Sequence, residues 1–157
     1  MTAGHPAPSG DRAASAEPFP FPFDRPPLRR TANQHLALPP GFRSTAAPHA
    51  TSPVFEVDAE RLAAALRAVA AGEPRVTLRR SDAATRQSEY VVRSRVFRLP
   101  DIVTVQLAPL GPDRSSLAIY IRARYGVYDF GVNRRRVEAW LARLTELVAR
   151  DAHRGAA

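Results

Sequence analysis

Two kinds of residue in this sequence could do chemistry: a few carboxylates at the ends of regular elements, and a surplus of arginines. Asp101 follows Pro100 at the start of a β-branched run, and Asp129 sits between Tyr128 and Phe130. Carboxylates flanked by apolar or aromatic residues can be buried, and burial raises a carboxyl pKa toward the range useful for general acid–base work. As a pair, Asp101 and Asp129 could serve a carboxylate-dependent hydrolase. The plainer reading is that each caps a turn or pairs with an arginine, and it is preferred. Composition excludes most other catalytic designs. The chain has no Cys, hence no disulfide, thiolate nucleophile or thiolate metal site. It has no Lys either, all 23 basic residues being Arg, which removes Schiff-base chemistry and a phosphate-loop lysine. Between residues 54 and 152 there is no His, so a serine nucleophile there would lack its usual base. His35 and His49 are too isolated to read as metal ligands. The sequence points away from an enzyme, and neither metal nor cofactor is expected.

The arginines point to binding. With 15 acids against 23 bases the net charge is +8, an attractive field for nucleic acid, anionic headgroups or acidic proteins. Arg in place of Lys throughout, with abundant Ala and Pro, also fits a compositional bias. No nucleic-acid motif is present, so a nucleic-acid-binding protein stays a lesser alternative. Arg134, Arg135 and Arg136 open a helix, where the positive end of the dipole disfavours each cation by about 0.3–1 kcal/mol. Helix N–H groups flanked by guanidiniums would complete a site for phosphate or carboxylate. Arg136 is assigned to a bridge with Asp129. Arg134 and Arg135, with Arg122 and Arg124 on the preceding strand, are the anion-binding candidates. Gly126 and Gly131 match neither nucleotide fingerprint and more simply allow the positive φ of a tight connection.

The scaffold for these residues begins after a long irregular stretch. Residues 1–53 hold 11 of the 15 prolines and little apolar mass, too little to offset the entropy of ordering. A disordered tail is expected over 1–30 and an extended strap over 31–53, shielding a sheet edge or outer face without adding a strand. Within the tail, Phe19-Pro20-Phe21-Pro22-Phe23 must run extended and display its rings, to a partner or to the protein's own sheet. An incidental Pro-rich tail is the preferred reading. No secretory signal or membrane span is legible, so a cytoplasmic protein is expected from the sequence as it stands.

Residues 54–152 read as one α+β domain, with 153–157 disordered. Asp58 can cap a helix carrying Leu62, Ala65, Leu66 and Val69 on one stripe and ending at Gly72. Strand patterns follow at 75–80, 89–97, 102–107 and 116–125. Short links between them favour an antiparallel meander. Asn133 then offers a cap for a long helix with Val137, Trp140, Leu141, Leu144, Leu147 and Val148 on one face. The expected architecture is a two-layer sandwich, a four-stranded antiparallel meander in the order α-β-β-β-β-α with both helices on one face. They should cover the uncharged Leu117, Ile119 and Ile121 side, leaving Tyr120, Arg122 and Arg124 outward.

The stretch from Leu117 to Val137 resembles the signature of a bacterial family catalogued as domain of unknown function 1499. In that family a strand leads through an Asp-x-Gly-x-Asn-x-x-Arg turn into a helix, and the matching positions are Asp129, Gly131, Asn133 and Arg136. Arg93–Phe97 followed by Pro100-Asp101 resembles its central strand and turn, and Asn33–Leu36 with Pro39-Pro40-Gly41 its amino-terminal strap. The resemblance covers about residues 28–149. It departs at Ala37, Leu38 and Phe42, in a region where relatives often carry Cys. It implies no established activity and marks Asp129, Gly131, Asn133, Arg136 and Asp101 as a structural signature. Many relatives begin with an anchor that places them at the cell envelope, the alternative location if the true gene start encodes one. The expected role is a non-catalytic binding or accessory module for an anionic ligand or protein partner.

Overall fold

The computed structural model describes residues 17–95, 98–126 and 130–155. Its elements are β1 (Gln34–Leu38), β2 (Ala50–Thr51), α1 (Ala59–Ala71), β3 (Val76–Asp82), β4 (Gln87–Arg93), β5 (Pro100–Gly111), β6 (Arg114–Ala123) and α2 (Val132–Gly155). One sheet holds all six strands in the order β2-β1-β6-β5-β4-β3. Strands β3 to β6 are consecutive antiparallel neighbours, as their short connections require. The sheet is nevertheless wider than the four strands expected, and it is mixed. β1 pairs antiparallel with β6, and β2 runs parallel to β1. The strap therefore extends the sheet instead of only shielding it. Pro39 and Pro40 fall just after β1, so Gln34–Leu38 keeps every backbone N–H and can form a ladder.

Asp58 caps α1, its carboxylate accepting the Arg61 N–H at 2.8 Å, and Gly72 ends it. Leu62, Leu66 and Val69 of α1 and Val137, Trp140 and Leu144 of α2 share one core with Val103, Val105, Leu117, Ile119 and Ile121. Both helices thus cover the uncharged face, where burial of these side chains is the main stabilising term. Trp140 meets the Tyr90 ring edge-on at 5.6 Å. Asn133 is the second residue of α2 and not its cap. Its amide donates to the Asn33 carbonyl at 2.8 Å, which ties the helix start to the residue before β1. Gly126 and Gly131 adopt φ of +84° and +76°, the conformation that a tight strand-to-helix connection needs. α2 continues to Gly155, into the segment expected to be disordered from 153.

The other face of the sheet is also covered. Phe21 and Phe23 are buried with Leu36, Leu38, Ala118 and Tyr120 in a second apolar cluster. Residues from Glu17 onward, expected in a disordered tail, lie across that face, and residues 1–16 fall outside the described ones. Tyr120 and Arg122, expected outward, are each 1 % exposed. The reason is that the Phe rings find an apolar surface, around Leu36, Leu38, Ala118 and Tyr120, that the helices leave open. Among the described residues no helix is long and apolar enough to cross a membrane.

Candidate anion-binding site

Strand alternation places Glu89 of β4, Thr104 of β5 and Arg122 of β6 on the face away from the helices. Glu89 stands opposite Thr104 in the ladder, and Arg122 opposite Ile102, two residues from Thr104 along β5. The Arg122 guanidinium spans that step. Its Nη1 donates to Thr104 Oγ1 at 3.1 Å, and its Nη2 lies 3.5 Å from Glu89 Oε2. The Thr104 hydroxyl in turn donates to Glu89 Oε2 at 3.3 Å. From the other side, Arg80 Nε and Arg79 Nη1 reach Glu89 Oε1 at 2.8 and 3.3 Å. Two successive residues of a strand normally face opposite ways. The register shift between Leu78 and Arg80 is the bulge that lets both arginines serve one carboxylate.

A second carboxylate arrives from the amino-terminal segment. Nε and Nη2 of Arg122 converge on Glu17 Oε2, and Arg29 Nη2 holds Glu17 Oε1 at 2.8 Å. Four guanidiniums, of Arg29, Arg79, Arg80 and Arg122, thus surround two carboxylates. Burial pulls the Arg122 guanidinium down to about 10, so it is still charged at neutral pH. A charge taken out of water in this way needs an anion against it. The rings of the same segment complete the layer. Phe19 lies 4.4 Å from the Arg80 guanidinium, Phe21 stacks on Tyr120 at 4.9 Å, and Arg122 approaches the Phe21 ring at 5.6 Å. Gln87 grips the backbone of Phe21, accepting its N–H at 2.7 Å and donating to its carbonyl at 2.9 Å.

The other expected anion ligands are not gathered here. Arg124 is exposed, 5.8 Å from the ring of Tyr125. Arg134 pairs with Glu138 one turn along α2 at 2.8 Å, and Arg135 donates to the Phe130 carbonyl at 3.0 Å. These contacts explain how cations are accommodated at the positive end of α2. Arg136 binds Asp101 Oδ2 at 2.9 Å, tying the start of β5 to the first turn of α2. Asp129, its expected partner, lies outside the described residues. His35 and His49, distant by sequence pattern, stack at 5.2 Å. Among the described residues no group of three His, Cys, Asp or Glu could hold a metal.

Sequence reasoning missed Glu17, Arg29, Arg79, Arg80 and Glu89. One signal was present: Glu17, Phe19, Phe21 and Phe23 recur at a period of two, separated by Pro18, Pro20 and Pro22. The chain bends at 19–20 and turns at 23–24, and this path, which no strand alternation dictates, brings the acid and the rings to the sheet.

A family model described as protein of unknown function (DUF1499) matches residues 31–144. No curated protein and no solved structure matches the chain. Arg79, Arg80, Glu89, Thr104 and Arg122 lie inside the matched stretch, whereas Glu17 and Arg29 precede it.

Proposed function

The chain belongs to the DUF1499 family, and on that premise we propose that it is a non-catalytic binding module whose Arg122 face takes a carboxylate or an anion of similar size. The observation that carries this reading is the position of Glu17. Arg122 is 1 % exposed, and the carboxylate converging on its Nε and Nη2 comes from a segment outside the family match. Once Glu17 leaves, Arg29 loses its carboxylate and Arg122 shares Glu89 with Arg79 and Arg80, and the resulting excess of positive charge would draw in another anion. The reading relocates the anion site from the start of α2, where Arg134 is engaged by Glu138, to the sheet face. Of the hydrolase alternative's two carboxylates, Asp101 is engaged by Arg136 and Asp129 lies outside the described residues.

The test is chemical replacement of the missing acid. Full-length Glu17→Ala should melt below the parent, and added acetate should recover part of the loss. At a concentration ten times its dissociation constant, acetate would contribute about 1.4 kcal/mol, a shift of a few degrees. The same concentration should barely move the parent. Equal responses of parent and variant to acetate and to chloride would overturn the reading.

A further inference from the structure

We infer that the groove over Arg122 is a receiver for a Pro-rich peptide of a partner protein, one with an acid followed at two-residue steps by phenylalanines, and that residues 17–23 fill it in cis. The inference rests on the proposed anion site and adds its ligand class and its control.

Four observations carry it. The occupant is a pattern and not a patch: Glu17, Phe19, Phe21 and Phe23 each meet their own receiver. These are Arg122 with Arg29, then the Arg80 guanidinium, then Tyr120, and last the apolar cluster around Leu36 and Leu38. The peptide backbone is gripped by a side chain. Gln87 bonds both the N–H and the carbonyl of Phe21, a contact that recognises the peptide backbone whatever residue it carries there. Residues 17–23 form no strand and pair with none, so they can leave without breaking the sheet ladder. Finally, Gln87, Arg80, Tyr120 and Arg122 lie within the family match at 31–144, whereas the occupant precedes it.

Alternating prolines restrict the φ angles of such a segment before it binds, which lowers the entropic cost of docking. Held on the same chain, it also enjoys an effective concentration in the millimolar range. A partner peptide must displace it, and its apparent affinity falls in proportion to the open fraction. The cis segment therefore sets the threshold for the partner.

The experiment measures binding of a fluorescent peptide of residues 17–24 by anisotropy. Full-length Glu17→Ala/Phe21→Ala, whose own segment is weakened, should bind it at least tenfold more tightly than the parent. Placing Glu17→Gln in the peptide should cost at least tenfold, and so should Arg29→Ala in the receiver, whose side chain is 33 % exposed. A double variant that responds to acetate yet shows no saturable peptide binding would overturn the inference and leave the anion site standing. Failure with both acetate and peptide would remove both. A concentration-dependent dimer of the parent in sedimentation would make the occupant a second copy and overturn the partner assignment.

Discussion

Glu17 and Arg122 stand 105 positions apart in the chain and meet as an ion pair on the outer face of the sheet. The pair is asymmetric. Arg122 is fully enclosed, whereas the Glu17 side chain keeps 28 % of its surface in solvent. Glu17→Ala should therefore cost about 1–3 kcal/mol, since Arg122 retains Thr104 and Glu89. Arg122→Gln should cost more, about 3–5 kcal/mol, because it strips a buried cation from two carboxylates at once. Urea unfolding of the two variants checks the order, and an equal or reversed order would contradict it.

Asp101 and Arg136 should show measurable coupling. Their side chains are 13 % and 22 % exposed, dry enough for the pair to exceed the usual surface value. A double-mutant cycle with Asp101→Asn and Arg136→Gln should give an interaction energy of about 1 kcal/mol or more. Additive losses would show that the contact does not hold β5 to α2.

Gln87→Ala would leave the Phe21 N–H without its partner, at about 1–3 kcal/mol for a buried group, while the Phe21 carbonyl keeps the Phe23 N–H at 3.0 Å. Its effect should be local. In hydrogen exchange the Phe21 amide should lose protection, while amides of β5 and β6 keep theirs. Unchanged protection at Phe21 would argue against the amide grip.

Tyr120 gives the pH dependence its sign. Burial raises its phenol to about 12, against an ordinary value near 10. Between those limits the unfolded chain has lost the proton and the folded chain has not, so Tyr120 lowers stability as pH rises from about 10 to 12. Arg122 acts in the opposite direction. Its folded value near 10 lies below the ordinary guanidinium range, so the folded chain releases that proton first and this contribution rises with pH. Tyr120→Phe removes the first effect and keeps the second. Apart from a constant loss of the bond to Gln34, it should gain about 2–3 kcal/mol on the parent between pH 9 and 12. Parallel stability curves would contradict the assignment.

The helix face was legible because its signals are local. Asp58 and Gly72 bracket α1, the Val137–Val148 stripe defines α2, and alternation in β6 names the face that carries Leu117, Ile119 and Ile121. Alternation also put Arg122 on the other face, but it cannot say what covers a face. The cover came from a Pro-rich segment whose rings could equally have faced a partner. Their receiver is assembled from strands that lie far along the chain and become neighbours only in the sheet. The same holds for Arg136. Asp101 stands opposite Ala123 in the ladder, which brings it beside the connection into α2, and no spacing in the chain records that meeting.

The most direct test of the anion site observes Arg122 itself. In full-length Glu17→Ala the Arg122 Nε–H resonance, assigned by its absence in Glu17→Ala/Arg122→Gln, can be followed during an acetate titration. The account predicts a saturable shift of that resonance, with the Arg134 and Arg135 resonances unmoved. Saturable shifts at Arg134 and Arg135 with Arg122 unmoved would return the site to the start of α2 and contradict the account.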